Sequence, residues 1–138
     1  MRAGGSAVGP CRLCRTGGNV PDHLLFLLGL CFLLAHEMDA VRLKEWKMLP
    51  VTSGMGEEAA YRFFVLVHVP LYAVLLWGLL DGGASVGLVV VLDAFLVVHV
   101  LLHALLRNLP ENRFGSAFSW ALILGAGACG ASDLLLIL

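Results

Sequence analysis

Charge is what this chain has least of. Charged side chains make up 14% of its 138 residues and hydrophobic ones 59%, whereas water-soluble domains carry about 25% charged residues. The mean hydropathy is +0.89. That excludes an ordinary solvated surface, and a net charge of -1 gives no basic patch for nucleic acid. The first 22 residues lack the apolar run of a secretory signal, and no acidic residue precedes Asp22. This Gly-rich, Arg-rich stretch reads as a disordered tail over 1–22. Cysteine is scarce and scattered. Cys11 and Cys14 form a lone CxxC, two ligands short of a finger-type zinc site, and its role stays open. Cys31 and Cys129 lie in apolar segments and read as small buried hydrophobes.

What the chain does have is four apolar stretches, over about 23–41, 61–80, 84–106 and 114–138. Each approaches the roughly 20 residues that carry a helix across a hydrocarbon core of about 30 Å. The polar run Arg42 to Lys47 ends the first, Asp81-Gly82-Gly83 the second, and Asn108-Leu109-Pro110-Glu111-Asn112 the third. The expected architecture is all-α: an integral membrane four-helix bundle forming one domain over 23–138, with both termini on one side. Gly125, Gly127, Ala128, Gly130 and Ala131 suit the fourth span to close helix packing. Arg42, Lys44, Lys47, Arg62, Arg107 and Arg113 gather at the face away from the termini, against Arg2, Arg12 and Arg15 on the other. The positive-inside rule makes the more basic face cytoplasmic, and Trp46, Tyr61, Trp120 and Trp77 fall where interfacial aromatic belts lie.

Four histidines break the apolar runs: His36, His68, His99 and His103. An ionisable group inside a span costs roughly 2.5–3.5 kcal/mol on insertion scales, so several in three spans call for a common partner. At 1.5 Å of rise per residue, all four fall within roughly 5–12 Å of the basic face. His99 and His103 share one helix face, as do His36 and Asp39. Helical bundles build metal sites from inward-pointing imidazoles and carboxylates in this way. The candidate ligands are therefore His36, His68, His99, His103 and Asp39, with Glu37 as the catalytic base or a further ligand. Asp39 has an equally plain structural reading, as a partner of Arg42. Asp93 lies deeper, and pairing with a donor on another helix is its expected role. Asp133, near the other end of the fourth span, is expected to lie too far away to join the histidines, and His23 to sit at the interface. Pro70, two residues after His68, removes one helical hydrogen bond and could turn that imidazole inward.

The run His36-Glu37-Met38-Asp39-Ala40 with Glu45-Trp46-Lys47, then Phe64 with His68-Val69-Pro70-Leu71, then Asp93-Ala94-Phe95-Leu96-Val97-Val98-His99 with His103, resembles a family of small four-span membrane proteins of unknown function, best known from bacteria and cyanobacteria. Its motifs have the form HExDA...EWR, HxPL and DxFLxxHxxLH. Lys47 stands where Arg is expected, Asn112-Arg113-Phe114 matches more loosely, and a fainter likeness to HxxEE membrane proteins departs at Asp39-Ala40. The resemblance covers Leu24 to the C-terminus. It implies the four-span fold and adds Glu45 and Trp46 to Asp93 as second-tier site residues, without implying an activity.

The functional expectation is an intramembrane zinc or non-haem iron site in a metal-dependent hydrolase or oxidoreductase acting on a lipid-like substrate. The bilayer is its expected partner, with a homo-oligomer also open. The alternatives are a proton or metal transporter or a structural protein with hydrogen-bonded histidines, and behind these a bis-histidine haem electron carrier.

Overall fold

The computed structural model describes residues 24–80 and 85–138. The CxxC, the tail, His23 and the Asp81-Gly82-Gly83 turn lie outside the described residues. Four long helices follow one another: α1 (Leu24–Leu43), α2 (Glu57–Leu80), α3 (Val86–Leu106) and α4 (Ala117–Ile137), with no strand among the described residues. All four are long and apolar enough to cross a membrane. An up-and-down bundle of this kind, with both termini on one side, fits an integral multi-pass membrane protein. The spans differ from the sequence expectation at their ends. α1 runs on to Leu43, α2 begins at Glu57, and α4 begins at Ala117.

Local chemistry explains those ends. Glu57 and Glu58 open α2, where carboxylates meet the positive pole of the helix. Ser85 caps α3 by accepting from the Leu88 amide at 3.2 Å, and Ser116 caps α4 by accepting from the Ser119 amide at 3.0 Å. α1 ends at Lys44, whose backbone is left-handed (φ 60°, ψ 49°). A non-glycine residue held there costs roughly 1–2 kcal/mol. The reversal sends the chain into a 3-10 turn, Glu45–Met48, followed by a shorter one at Pro50–Thr52.

Glycine decides which helices meet. α4 lies along both α1 and α3, which touch each other much less. A Cβ at Gly130 would stand 2.9 Å from the Asp93 carbonyl oxygen, and one at Gly29 would stand 3.2 Å from Cys129 Cβ. Backbones approach this closely only where side chains are missing. α2 is the loosest element: 6% of its span is buried within the protein, against 28% for each of the others. Ala60, Phe64 and Leu75 form its one buried stripe. Cys31 is exposed on the outer face of α1 and Cys129 is half-buried, so only the second approaches the expected buried role.

Candidate metal centre

His36 projects from α1 and is fully buried; His99 and His103, one helical turn apart on α3, are also buried. One ligand atom from each lies within 4.8 Å of the others. The rings meet edge to face, with centroids 5.0 Å apart for His36 and His99, 4.8 Å for His36 and His103, and 4.7 Å for His99 and His103. Phe114 covers the group from the loop before α4, 4.9 Å from the His103 ring and 5.3 Å from that of His36. Asn112 fixes this loop. It donates to the Leu106 carbonyl at 3.0 Å and accepts from the Phe114 amide at 2.7 Å.

Glu45 enters the same space from the 3-10 turn. Its Oε2 is 3.6 Å from His36 Nε2, and its Oε1 is 3.5 Å from His103 Nε2. Neither distance is a direct hydrogen bond. Burial, and behind it the charge of Glu37, push the Glu45 carboxyl up to about 8. Of the buried atoms with no hydrogen-bond partner among the described residues, five belong to this cluster: both ring nitrogens of His36, His99 Nε2, His103 Nδ1 and Glu45 Oε2. Each such atom costs about 1–3 kcal/mol when nothing meets it.

His68 occupies a different place. Its Nε2 contacts Glu37 Oε2 at 3.1 Å, while its Nδ1 donates to the Phe64 carbonyl at 2.6 Å. A carbonyl only accepts, so Nδ1 carries a hydrogen, and the Glu37 contact needs another on either Nε2 or the carboxyl. Glu37 thus links His68 to Glu45, whose carboxyl feels its charge. Asp39 is engaged elsewhere: Oδ2 accepts from Ser119 Oγ at 2.6 Å and Oδ1 from Arg42 Nε at 3.1 Å. It ties α1 to α4 and does not reach the three imidazoles. Trp46 packs on Tyr61 and Phe64, with ring centroids 5.2 and 5.8 Å away, and is buried, not spread in an interfacial belt.

Asp93 departs from its expected role. Both Asp93 and Asp133 are buried, and they are neighbours across α3 and α4. Asp93 therefore meets an acid, Asp133, where a donor was expected. No donor reaches either Asp93 oxygen or Asp133 Oδ2 among the described residues. Two acceptors can bond only through a hydrogen carried by one of them.

Sequence spacing brought His36, His99 and His103 to one level, and the structure sets Glu45, a second-tier residue in the sequence, beside two of them. The backbone reversal at Lys44 has no glycine to announce it. No curated protein and no solved structure matches the chain. The profile of a family of unknown function, DUF6713, matches residues 22–138, which include every side chain just described. The chain belongs to that family.

Proposed function

We propose that His36, His99, His103 and Glu45 hold a divalent transition metal, zinc or iron, and that the protein is a membrane metalloenzyme, a hydrolase or an oxidoreductase, acting on a substrate presented from within the bilayer. The observation that carries this reading is the set of five partnerless buried atoms converging from α1, α3 and the turn between α1 and α2. Two ligands each about 2.1 Å from a tetrahedral ion stand about 3.4 Å apart. The Glu45 contacts of 3.5 and 3.6 Å have that separation. Three imidazoles and one carboxylate suit zinc or non-haem iron, not calcium or magnesium.

Bound there, zinc supplies Lewis acidity and iron supplies redox chemistry. The chain's own residues do the rest. Phe114 keeps water from one side of the centre, and Glu37, tethered by His68, gives or takes a proton beside it. Lys44 and Lys47, both ion-paired to Glu57, stand on either side of Glu45, and basic residues there support a cytoplasmic setting for the centre. The purely structural alternative fares worse, since histidines that hold helices together by hydrogen bonds would have partners. A haem reading is disfavoured by imidazole rings at most 5.0 Å apart, which leave no slot for a macrocycle.

Elemental analysis with an optical spectrum on the detergent-purified protein tests the proposal. Stoichiometric zinc or iron is expected, lost from a His99→Ala, His103→Ala variant. Absence of metal from both preparations sinks it, and a Soret band would hand the site to haem.

A further inference from the structure

A groove of about 400 Å³ runs between α1 and α2. Leu34, Met38, Val65 and Val69 line it, and its polar groups come from Glu37, His68 and Tyr72. Three observations say what covers it. First, Met38 is 77% exposed and Val69 61% exposed, on helices long and apolar enough to cross a membrane. The medium that meets this rim is therefore hydrocarbon, and an empty apolar groove open to lipid fills with lipid. Second, the volume lies within the roughly 300–1,000 Å³ range of small-molecule sites, enough for one flexible chain and too small for a helix. Third, the polar groups are few and lie together, Glu37 on α1 3.1 Å from His68 on α2 and the Tyr72 ring 5.5 Å from that of His68, as in pockets that orient an apolar ligand by its single polar end.

We infer that this groove binds one acyl chain of a membrane phospholipid, with the chain along Leu34, Met38, Val65 and Val69 and its ester end at Glu37 and His68. The lipid so held is the substrate class of the neighbouring centre. That last step rests on the metal-site reading; the binding itself does not. The ester carbonyl is an acceptor, and the groove's polar groups, Glu37, His68 and Tyr72, include the Tyr72 hydroxyl as a donor.

The test uses the full-length protein in phosphatidylcholine nanodiscs doped with phosphatidylcholine bearing a diazirine within one acyl chain. After irradiation, labelled positions are mapped by peptide mass spectrometry. Labels should concentrate on Leu34 and Met38, 40% and 77% exposed, over Val91 and Leu105 on α3, which are 66% and 77% exposed. Val65→Trp fills the groove with a large rigid ring and should lower labelling at Leu34 and Met38 by about threefold or more, leaving Val91 and Leu105 unchanged. Val69→Trp serves as a second groove-filling variant should the first be poorly folded. Labels spread evenly over all outward faces, with no response to either substitution, overturn the inference. So does preferential labelling by a rigid sterol diazirine. Metal content measured on the same samples separates the two readings. Groove labelling without metal removes only the metal centre, and stoichiometric metal with even labelling removes only the groove.

Discussion

Glu45 reaches back beneath the end of α1 until its carboxylate Oε2 stands 3.6 Å from Nε2 of His36, a residue two and a half helical turns earlier in the chain. The contact exists because Lys44 reverses the backbone. It makes Glu45, and not the nearer Asp39, the carboxylate of the histidine cluster.

The proposed ligands should separate from their neighbours by titration. Glu45→Gln keeps the shape of the side chain and removes its charge, and zinc affinity should fall about ten- to a hundredfold, at least the range seen when supporting groups of metal sites are lost. His68→Ala should leave the affinity of the purified protein within a few-fold of the parent. Isothermal titration of the metal-stripped protein measures both, and equal losses from the two variants would merge His68 into the centre.

Acidity provides an independent check. Burial raises Glu45 from 4.5 to about 8, so the folded, metal-free protein holds this proton more tightly than the unfolded chain does. Its contribution to stability is complete below about 4.5 and is lost as the pH rises through about 8. The thermal midpoint of the metal-free protein in detergent is expected to decline across that window. Glu45→Gln should flatten the decline, and an unchanged slope would assign it to other groups.

Asp39 should behave as a structural residue. Asp39→Asn weakens its bond to Ser119, which holds α1 to α4, and its bond to Arg42 within α1. A loss of about 1–3 kcal/mol is expected from thermal or denaturant unfolding, with metal stoichiometry unaltered. Loss of metal at unchanged stability would return Asp39 to the ligand set.

Close packing of α4 makes a contrast between two glycines. At Gly130 a methyl would meet the Asp93 carbonyl oxygen at 2.9 Å and Leu96 Cβ at 3.1 Å, whereas at Gly87 nothing lies within 4 Å. Gly130→Ala should destabilise the bundle by about 1–3 kcal/mol. Gly87→Ala should be neutral or raise stability by about 0.5–1 kcal/mol through chain entropy alone. Similar unfolding midpoints for the two variants would mean that α3 and α4 do not pack this tightly.

Much of this molecule is legible without coordinates, and the reason is the bilayer. A solvent that satisfies no backbone group forces helices of fixed length, so hydropathy alone gives four spans and their antiparallel order. Depth then follows from helical rise, which put His36, His99 and His103 at one level. Direction does not follow. His68 has the right depth, yet it faces Glu37 across a groove because α2 stands away from α3 and α4. Asp39 has the right spacing from His36, yet it turns to a serine on α4 that no pattern singled out. Glu45 was legible only through the family resemblance, because one left-handed residue, chemically a lysine, changes the path of everything after it.

The acids at Asp93 and Asp133 bear on how the protein is made. Either span alone would present a carboxyl group to hydrocarbon as it leaves the insertion machinery, at a cost of roughly 2.5–3.5 kcal/mol. Together they cover each other, for the two acids are neighbours and the glycines of α4 let the backbones close around them. Entry of α3 and α4 as a single hairpin avoids both exposures. The ten residues between Leu106 and Ala117 then set how soon, during synthesis, the second helix arrives to shelter the first.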